Sequence, residues 1–279
     1  MLLRVRVALP DRPGSLGQVA RTLGVAGADI VQVVVLERLG GRAIDDFTVV
    51  WPGGAGVERL RAGLSAMPGV RVDGIWRAIG APVAGAFDAE LLTQVASNPN
   101  EGLATLVDTV PALLAADWAL ALRVPADWAA RGSVGIDVRH GADDMAVLGA
   151  MRKRPEPPVV YASWRAPEQL QLPEVTPLRA RAVTGADGTR YALAPFGRAG
   201  LVLVVARSAD AELPVAAFHA TEVDRVAQLV RAAAAIVGDR LDAVKTPAQR
   251  AAELASGSPR RRSELRERAC RVTSGIARS

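Results

Sequence analysis

A short loop near the N-terminus contains residue types that together could bind a small anion: Asp11-Arg12-Pro13-Gly14-Ser15-Leu16. Pro13 fixes one backbone dihedral, and Gly14 permits a conformation that a side chain would disfavour. Ser15 is a residue type that favours the N-cap of a helix. Since the first N–H groups of a helix have no partner within it, they attract a carboxylate or a phosphate. The alternative is an ordinary strand-to-helix connection.

The elements around this loop follow a regular order. Apolar residues alternate with Arg4 and Arg6 before the loop, which indicates a strand, and they recur at helical spacing after it. Gly40 and Gly41 predict a hairpin turn. The pattern predicts strands at residues 2–9, 29–38, 43–51 and 70–78, with helices starting near residues 15 and 57. This strand–helix–strand–strand–helix–strand order is the ferredoxin-like pattern of an α+β protein.

The loop and the element order resemble an ACT domain, whose signature in this loop is D-x-P-G-x-L. The segment Gly27-Ala28-Asp29-Ile30 also matches the usual start of the second strand in that family. The resemblance implies a regulatory module that binds small ligands, most often amino acids, commonly at a dimer interface. It further implies contacts from the loop of one subunit and from the second strand of its partner. The ligand-binding residues implied here are Asp11, Pro13, Gly14, Ser15, Leu16, Asp29, Ile30 and Val31.

An amino acid in this site would place its carboxylate on the N–H groups around Gly14 to Leu16. Its ammonium group needs an acceptor, either a backbone carbonyl near Ile30 or Val31 or one of the carboxylates of Asp11 and Asp29. Two alternatives stay open, because Asp11 could cap its own loop and Asp29 could be solvated at the strand end. Asp45 and Asp46 are expected at the rim or on the open face of the sheet.

The second strand lies at a sheet edge in the ferredoxin-like pattern. Residues 31–36 are strongly apolar and contain neither Pro nor Lys, so this edge should be covered or paired. We expect a homodimer formed through this edge strand and the first helix. The alternative is that the second domain covers the edge and that no ligand binds.

The rest of the chain divides by composition. Residues 1–79 form the ACT-like domain, residues 80–87 a Pro/Gly/Ala linker, and residues 246–279 a basic tail that is predicted to be disordered. Residues 88–245 contain opening helices, a strand, antiparallel strands and a closing helix with Thr221 as its expected N-cap. This order resembles a GAF domain with a central antiparallel sheet, a family that binds small molecules or dimerises.

The charge is concentrated in the tail. The chain has 34 basic and 29 acidic residues, whereas residues 246–279 contain 8 Arg and 3 acidic residues and therefore account for the whole excess of +5. Since the body is neutral overall, nucleic acid and membranes are not expected as partners except through the tail. With no apolar segment of about 20 residues and a single cysteine, Cys270, we expect a cytoplasmic protein without disulfides.

These observations predict a non-enzymatic sensor that binds an amino acid or a similar metabolite, with its output passed to an unidentified downstream protein. No catalytic motif, metal site or cofactor site is predicted, because the two histidines have no nucleophile or ligand cluster near them in the pattern. Two alternatives from other classes stay open: an enzyme with its site in the second domain, and a dimerisation scaffold without a ligand.

Overall fold

The structure is a computed structural model, and it describes residues 1–52, 56–78, 87–126, 157–169 and 172–245. Met1–Ala243 forms one compact unit, and Val244–Ser279 forms a second, of which only the first two residues are described. The basic tail and residues 80–86 of the predicted linker lie outside the described residues. The predicted division into an ACT-like and a GAF-like domain therefore stays a prediction.

The N-terminal part contains a four-stranded antiparallel sheet with the order β2-β3-β1-β4, here called the first sheet. Its strands are β1 (Leu2–Pro10), β2 (Asp29–Leu39), β3 (Arg42–Val50) and β4 (Arg71–Arg77), and its helices are α1 (Ser15–Val25) and α2 (Val57–Ser65). The order of elements confirms the ferredoxin-like pattern, and β2 lies at the edge as predicted.

Alternation along β1 separates two environments. Leu3, Val5, Val7 and Leu9 are buried in one core with residues of both helices, among them Val19 and Leu60. Arg4 and Arg6 point to the opposite face, as the sequence predicts. The helices therefore cover only one face of the first sheet.

The C-terminal part contains a five-stranded antiparallel sheet with the order β6-β5-β9-β8-β7, here called the second sheet. Its strands are β5 (Trp118–Arg123), β6 (Val159–Ala162), β7 (Arg181–Thr184), β8 (Arg190–Pro195) and β9 (Leu201–Arg207). The helices are α3 (Phe87–Ser97), α4 (Gly102–Leu113), α5 (Ala220–Val237) and α6 (Arg240–Ala243). None of the helices in the described ranges has the length and apolar character needed to cross a membrane.

The start of α5 differs from the expected one. The N-cap is His219 rather than Thr221, and its side chain accepts a hydrogen bond from the backbone N–H of Thr221. The Glu222 side chain in turn accepts from the backbone N–H of His219 at 2.8 Å. This reciprocal pair is a capping box, which satisfies N–H groups that the helix itself leaves unpaired.

The face of the first sheet that its helices leave open is covered by the segment preceding α5. The N–H of Ile75 in β4 donates to the carbonyl of Pro214 at 2.9 Å, and the indole N–H of Trp76 donates to the carbonyl of Ala115 at 2.9 Å. At Gly74 the approach is so close that a Cβ would lie 2.6 Å from the backbone nitrogen of Ala216. Both faces of this sheet are therefore covered in its middle.

Candidate functional site

The predicted anion site lies where the first loop becomes α1. Gly14 occupies the N-cap position in the left-handed region (φ 88°, ψ −17°), and no side chain caps the helix. The expectation that Ser15 is the N-cap is therefore wrong, because the turn is closed by the N–H of Ser15 donating to the carbonyl of Arg12 at 3.2 Å. Ser15 is the first helical residue, and it is buried on the stripe of α1 that faces the sheet.

Two N–H groups in the first turn of α1 are available to a ligand. Those of Leu16 and Gly17 donate to no group among the described residues, whereas the next one, from Gln18, donates to the carbonyl of Gly14 at 3.0 Å. Both residues are exposed, and the first turn contains no acidic side chain. The positive end of the helix is therefore not compensated by its own side chains, which favours an external anion.

Asp11 is held by an arginine rather than by its own loop. Arg38 of β2 donates to the Asp11 carboxylate from Nη2 at 2.6 Å and from Nε at 3.0 Å. The backbone N–H of Asp11 donates to the carbonyl of Gly41 in the β2–β3 turn at 2.9 Å. The pair raises the pKa of Arg38, chiefly through the hydrogen bonds to Asp11. Pro13, in the same loop, is exposed.

The other three predicted site residues lie at the opposite end of β2. Asp29 is paired with Val50, whereas Arg38 and Leu39 are paired with Ala43 and Arg42 at the end near the loop. Asp29 and Arg38 are nine residue steps apart along the strand, which corresponds to about 30 Å. Within one chain, the structure therefore does not bring Asp29, Ile30 and Val31 together with the loop.

The edge formed by β2 presents apolar side chains to solvent. Val31, Val33 and Val35 are 45%, 38% and 52% exposed, and Leu16 at the start of α1 is 43% exposed. Among the described residues β2 pairs only with β3, so its outer backbone groups have no ladder. Such an edge is a surface for strand pairing.

Asp45 is the functional candidate that the sequence analysis missed. It is only 2% exposed and lies on the helix side of the first sheet, because it is directly opposite Val7 of β1 and Val35 of β2. The expected position at the rim or on the open face is therefore wrong. Its Oδ1 is buried and has no hydrogen-bond partner among the described residues. A signal existed in the sequence, since Asp45 occupies a core-facing register between Ala43 and Phe47.

The electrostatic surroundings link Asp45 to the predicted loop. Burial raises the pKa of the Asp45 carboxyl above its ordinary value, the positive charge of Arg38 opposes this, and the negative charges of Asp46 and Asp11 add to it. Arg38 is the cation that acts on Asp45, but it is hydrogen-bonded to Asp11, so among the described residues an ionised Asp45 has only a shared counter-charge.

Asp46 has the opposite situation on the other face. Its carboxylate accepts two hydrogen bonds from Arg6, at 2.6 Å from Nε and 2.8 Å from Nη2. Arg6 also donates to Glu222 of α5 at 2.8 Å and to the carbonyl of Ala217 at 2.7 Å. Asp46 thus lies on the face that the helices leave open, as one of the expected positions has it, but this face is covered here and Asp46 is only 1% exposed.

The same cluster extends into the second sheet. Arg207 of β9 donates to Glu222 and to the carbonyl of Leu114, and its guanidinium lies 4.5 Å from the ring centre of Trp76. Burial acts to raise the pKa of Glu222, but Arg207 and Arg6 outweigh it and lower this pKa to about 2. Arg6, Asp46, Arg207 and Glu222 therefore form a buried, mutually paired cluster, here called the four-charge cluster.

A separate depression of about 580 Å³ opens beside the second sheet. Its described lining is mostly apolar and includes Arg123, Val124, Thr176, Leu178 and Gly200. Across the described ranges, no three His, Cys, Asp or Glu side chains lie close enough to hold a metal ion.

Comparison with known proteins gives distant matches only. No protein-family model and no curated protein matches the sequence. Among solved structures, a formyltetrahydrofolate deformylase from Pseudomonas putida KT2440 matches with 18% identity and a TM-score of 0.25, over 35% of this chain and 39% of that one. An unknown protein from Galdieria sulphuraria matches with the same identity and TM-score, over 45% of this chain and 72% of that one. At this level of likeness, neither match supports a statement about activity.

Proposed function

We propose that this protein is a non-enzymatic regulatory protein whose N-terminal, ACT-like part binds a small metabolite carrying a carboxylate, namely an amino acid. The observation that supports this most directly is the exposed pair of N–H groups from Leu16 and Gly17 after the left-handed Gly14. Two such donors at a helix N-terminus match the two oxygens of a carboxylate.

A homodimer would complete this site. If β2 pairs antiparallel with the β2 of a second copy about a two-fold axis near its middle, the Asp29 end of one strand lies beside the Arg38 end of the other. The 30 Å that separate the two groups of predicted site residues within one chain would then be bridged by the partner. The exposed apolar side chains of β2 support this arrangement, because pairing would bury them.

The second sheet is the proposed route of output. Along the chain its antiparallel strands follow two opening helices and precede a closing helix, an order that supports a GAF-like domain, and the four-charge cluster joins it to the first sheet. A shift of Arg6 in the first sheet would thus move α5 through its hydrogen bond to Glu222. A downstream protein of unknown identity would receive this output.

Calorimetric titration and thermal unfolding of the full chain with each common amino acid test the ligand. A ligand at 100 times its Kd should stabilise the folded state by about 2.7 kcal/mol. Gly14→Val should abolish the response, because a β-branched residue disfavours the left-handed turn that presents the N–H groups. Gly197→Val is the matched control, since Gly197 also has a positive φ and open space around it but lies in the turn between β8 and β9.

Sedimentation tests the dimer. Val33→Lys in β2 should convert a dimer into a monomer, because it places a charge on the apolar edge. Leu178→Lys is the control, since Leu178 is equally exposed but lies far along the chain from this edge. A dimer that no amino acid stabilises would favour the scaffold without a ligand, and a monomeric wild type would refute the proposed interface.

A further inference from the structure

The carboxylate of Asp45 is a buried charge without a described partner, and it lies close to the proposed site. Chain direction establishes this position. The β1–α1 loop leaves the sheet at Pro10, opposite Arg42, and Asp45 lies three residues further along β3. Because α1 starts from this end with Ser15 on its sheet-facing stripe, Asp45 lies on the helix-covered face of the sheet, towards the end at which the helix begins.

Its nearest neighbours on the sheet carry no positive charge. The residues directly opposite Asp45 are Val7 and Val35, and its neighbours on the same face of β3 are Ala43 and Phe47. The charged groups that act on it are Arg38, which is occupied by Asp11, together with Asp11 itself and Asp46 on the opposite face. A buried carboxylate in such surroundings costs folding free energy unless a cation joins it.

We propose that Asp45 accepts the ammonium group of the ligand, so that the site selects a zwitterion rather than a simple carboxylic acid. This inference rests on the proposed function and names the group that recognises the amine. The N–H groups of Leu16 and Gly17 would hold the ligand carboxylate, and Asp45 would hold the positive end. Amino acids are then distinguished from the 2-hydroxy acids and fatty acids of the same carbon skeleton.

The choice of ammonium over a larger cation follows from the burial. Asp45 is 2% exposed, so a group that reaches it must be small and must lose its water on binding. A primary ammonium is compact and offers three donors, whereas a guanidinium is planar and larger.

Titration calorimetry on the full chain tests the inference with two sets of probes: the amino acids, and the 2-hydroxy acids that carry the same side chains. Wild type should bind an amino acid and respond at least 30-fold more weakly to its hydroxy analogue. Asp45→Asn, which keeps the size of the side chain and removes the charge, should weaken amino-acid binding at least 30-fold and remove the preference over the hydroxy acid. Glu58→Gln, an equal charge change on exposed α2, should leave both affinities unchanged.

The possible results separate this inference from the proposed function. If Asp45→Asn binds the amino acid as tightly as wild type, Asp45 is not the acceptor, although the proposed function stands. If wild type binds hydroxy acids as tightly as amino acids, the inference fails without any variant being needed. If wild type binds no amino acid and no hydroxy acid, both the inference and the proposed function fail.

Discussion

Asp45 and Asp46 are neighbours in β3 and are buried to nearly the same extent, but they differ in every other respect. Asp46 accepts two hydrogen bonds from Arg6 within the four-charge cluster. Asp45, one residue earlier and on the opposite face, is next to valines, and its Oδ1 has no partner in the part of the chain that the structure describes. Burial alone therefore does not mark a binding residue. A buried charge without a partner is the more informative observation, because no hydrogen bond or counter-ion within the described residues offsets its desolvation free energy.

Removing Asp46 should have the largest effect on stability. Asp46→Ala leaves the Arg6 guanidinium buried with Glu222 as its remaining acidic partner, so the free energy of unfolding should fall by about 3–5 kcal/mol. Urea denaturation measures the loss. The control is Asp73→Ala, which breaks an exposed pair with Arg71 and should cost less than about 1 kcal/mol. Equal losses in the two variants would show that the four-charge cluster contributes little to stability.

The pH dependence of stability should expose the same cluster. The pKa of Glu222 is about 2 in the folded protein against 4.5 for a free side chain. Its contribution to stability is therefore fully present above pH 4.5 and is lost as the pH falls from 4.5 towards 2, by about 3 kcal/mol. Denaturation at several pH values should show this slope in wild type. A slope that is unchanged in Glu222→Gln would contradict the assignment.

Removing the charge of Asp45 should act in the opposite direction. Asp45→Val replaces a carboxylate whose Oδ1 has no partner among the described residues by an apolar group of similar size among valines, so the ligand-free protein should gain about 1–3 kcal/mol. Thr48→Val is the matched control, because the Thr48 hydroxyl is also buried and unpartnered in β3 but carries no charge, and its gain should be smaller. A loss of stability in Asp45→Val would show that the carboxylate is satisfied in the folded protein.

The smallest expected effect concerns Arg38. Because the pKa of Asp45 is raised, the folded protein binds its proton more tightly than the unfolded chain, and stability should fall as the pH rises above the ordinary value of 3.8. Arg38→Gln removes the cation that opposes this shift, so the decline should extend to higher pH. Denaturation curves of wild type and variant between pH 4 and 8 would show it, and coincident curves would mean that Arg38 does not act on Asp45.

Local pattern was sufficient for most of the fold. Alternation along β1, the glycines at 40 and 41 and the helical spacing after Ser15 predicted the order of the first sheet and its exposed edge. Local pattern was not sufficient where two adjacent residues could both serve as the N-cap of a helix. Ser15 is a common N-cap, but the left-handed backbone at Gly14 moved the cap one residue earlier.

The surroundings of Asp46 could not be predicted because they depend on distant parts of the chain. Glu222, which joins the cluster around Asp46, is 216 residues from Arg6, and no local pattern records such a contact. The strand β6 was missed for a different reason. Its four residues, which pair with β5, give too short a pattern to recognise. For Asp45, in contrast, an acidic residue in a core-facing register was visible in the sequence.

The close approach at Gly74 allows one substitution to weaken the contact between the first sheet and the segment that precedes α5. A methyl group there would meet the backbone of Ala216 and Pro214, which cannot rotate away as a side chain can. Gly74→Ala would therefore push the 214–216 segment away from the first sheet. Such a variant would test whether ligand binding at the first sheet is transmitted to the second sheet.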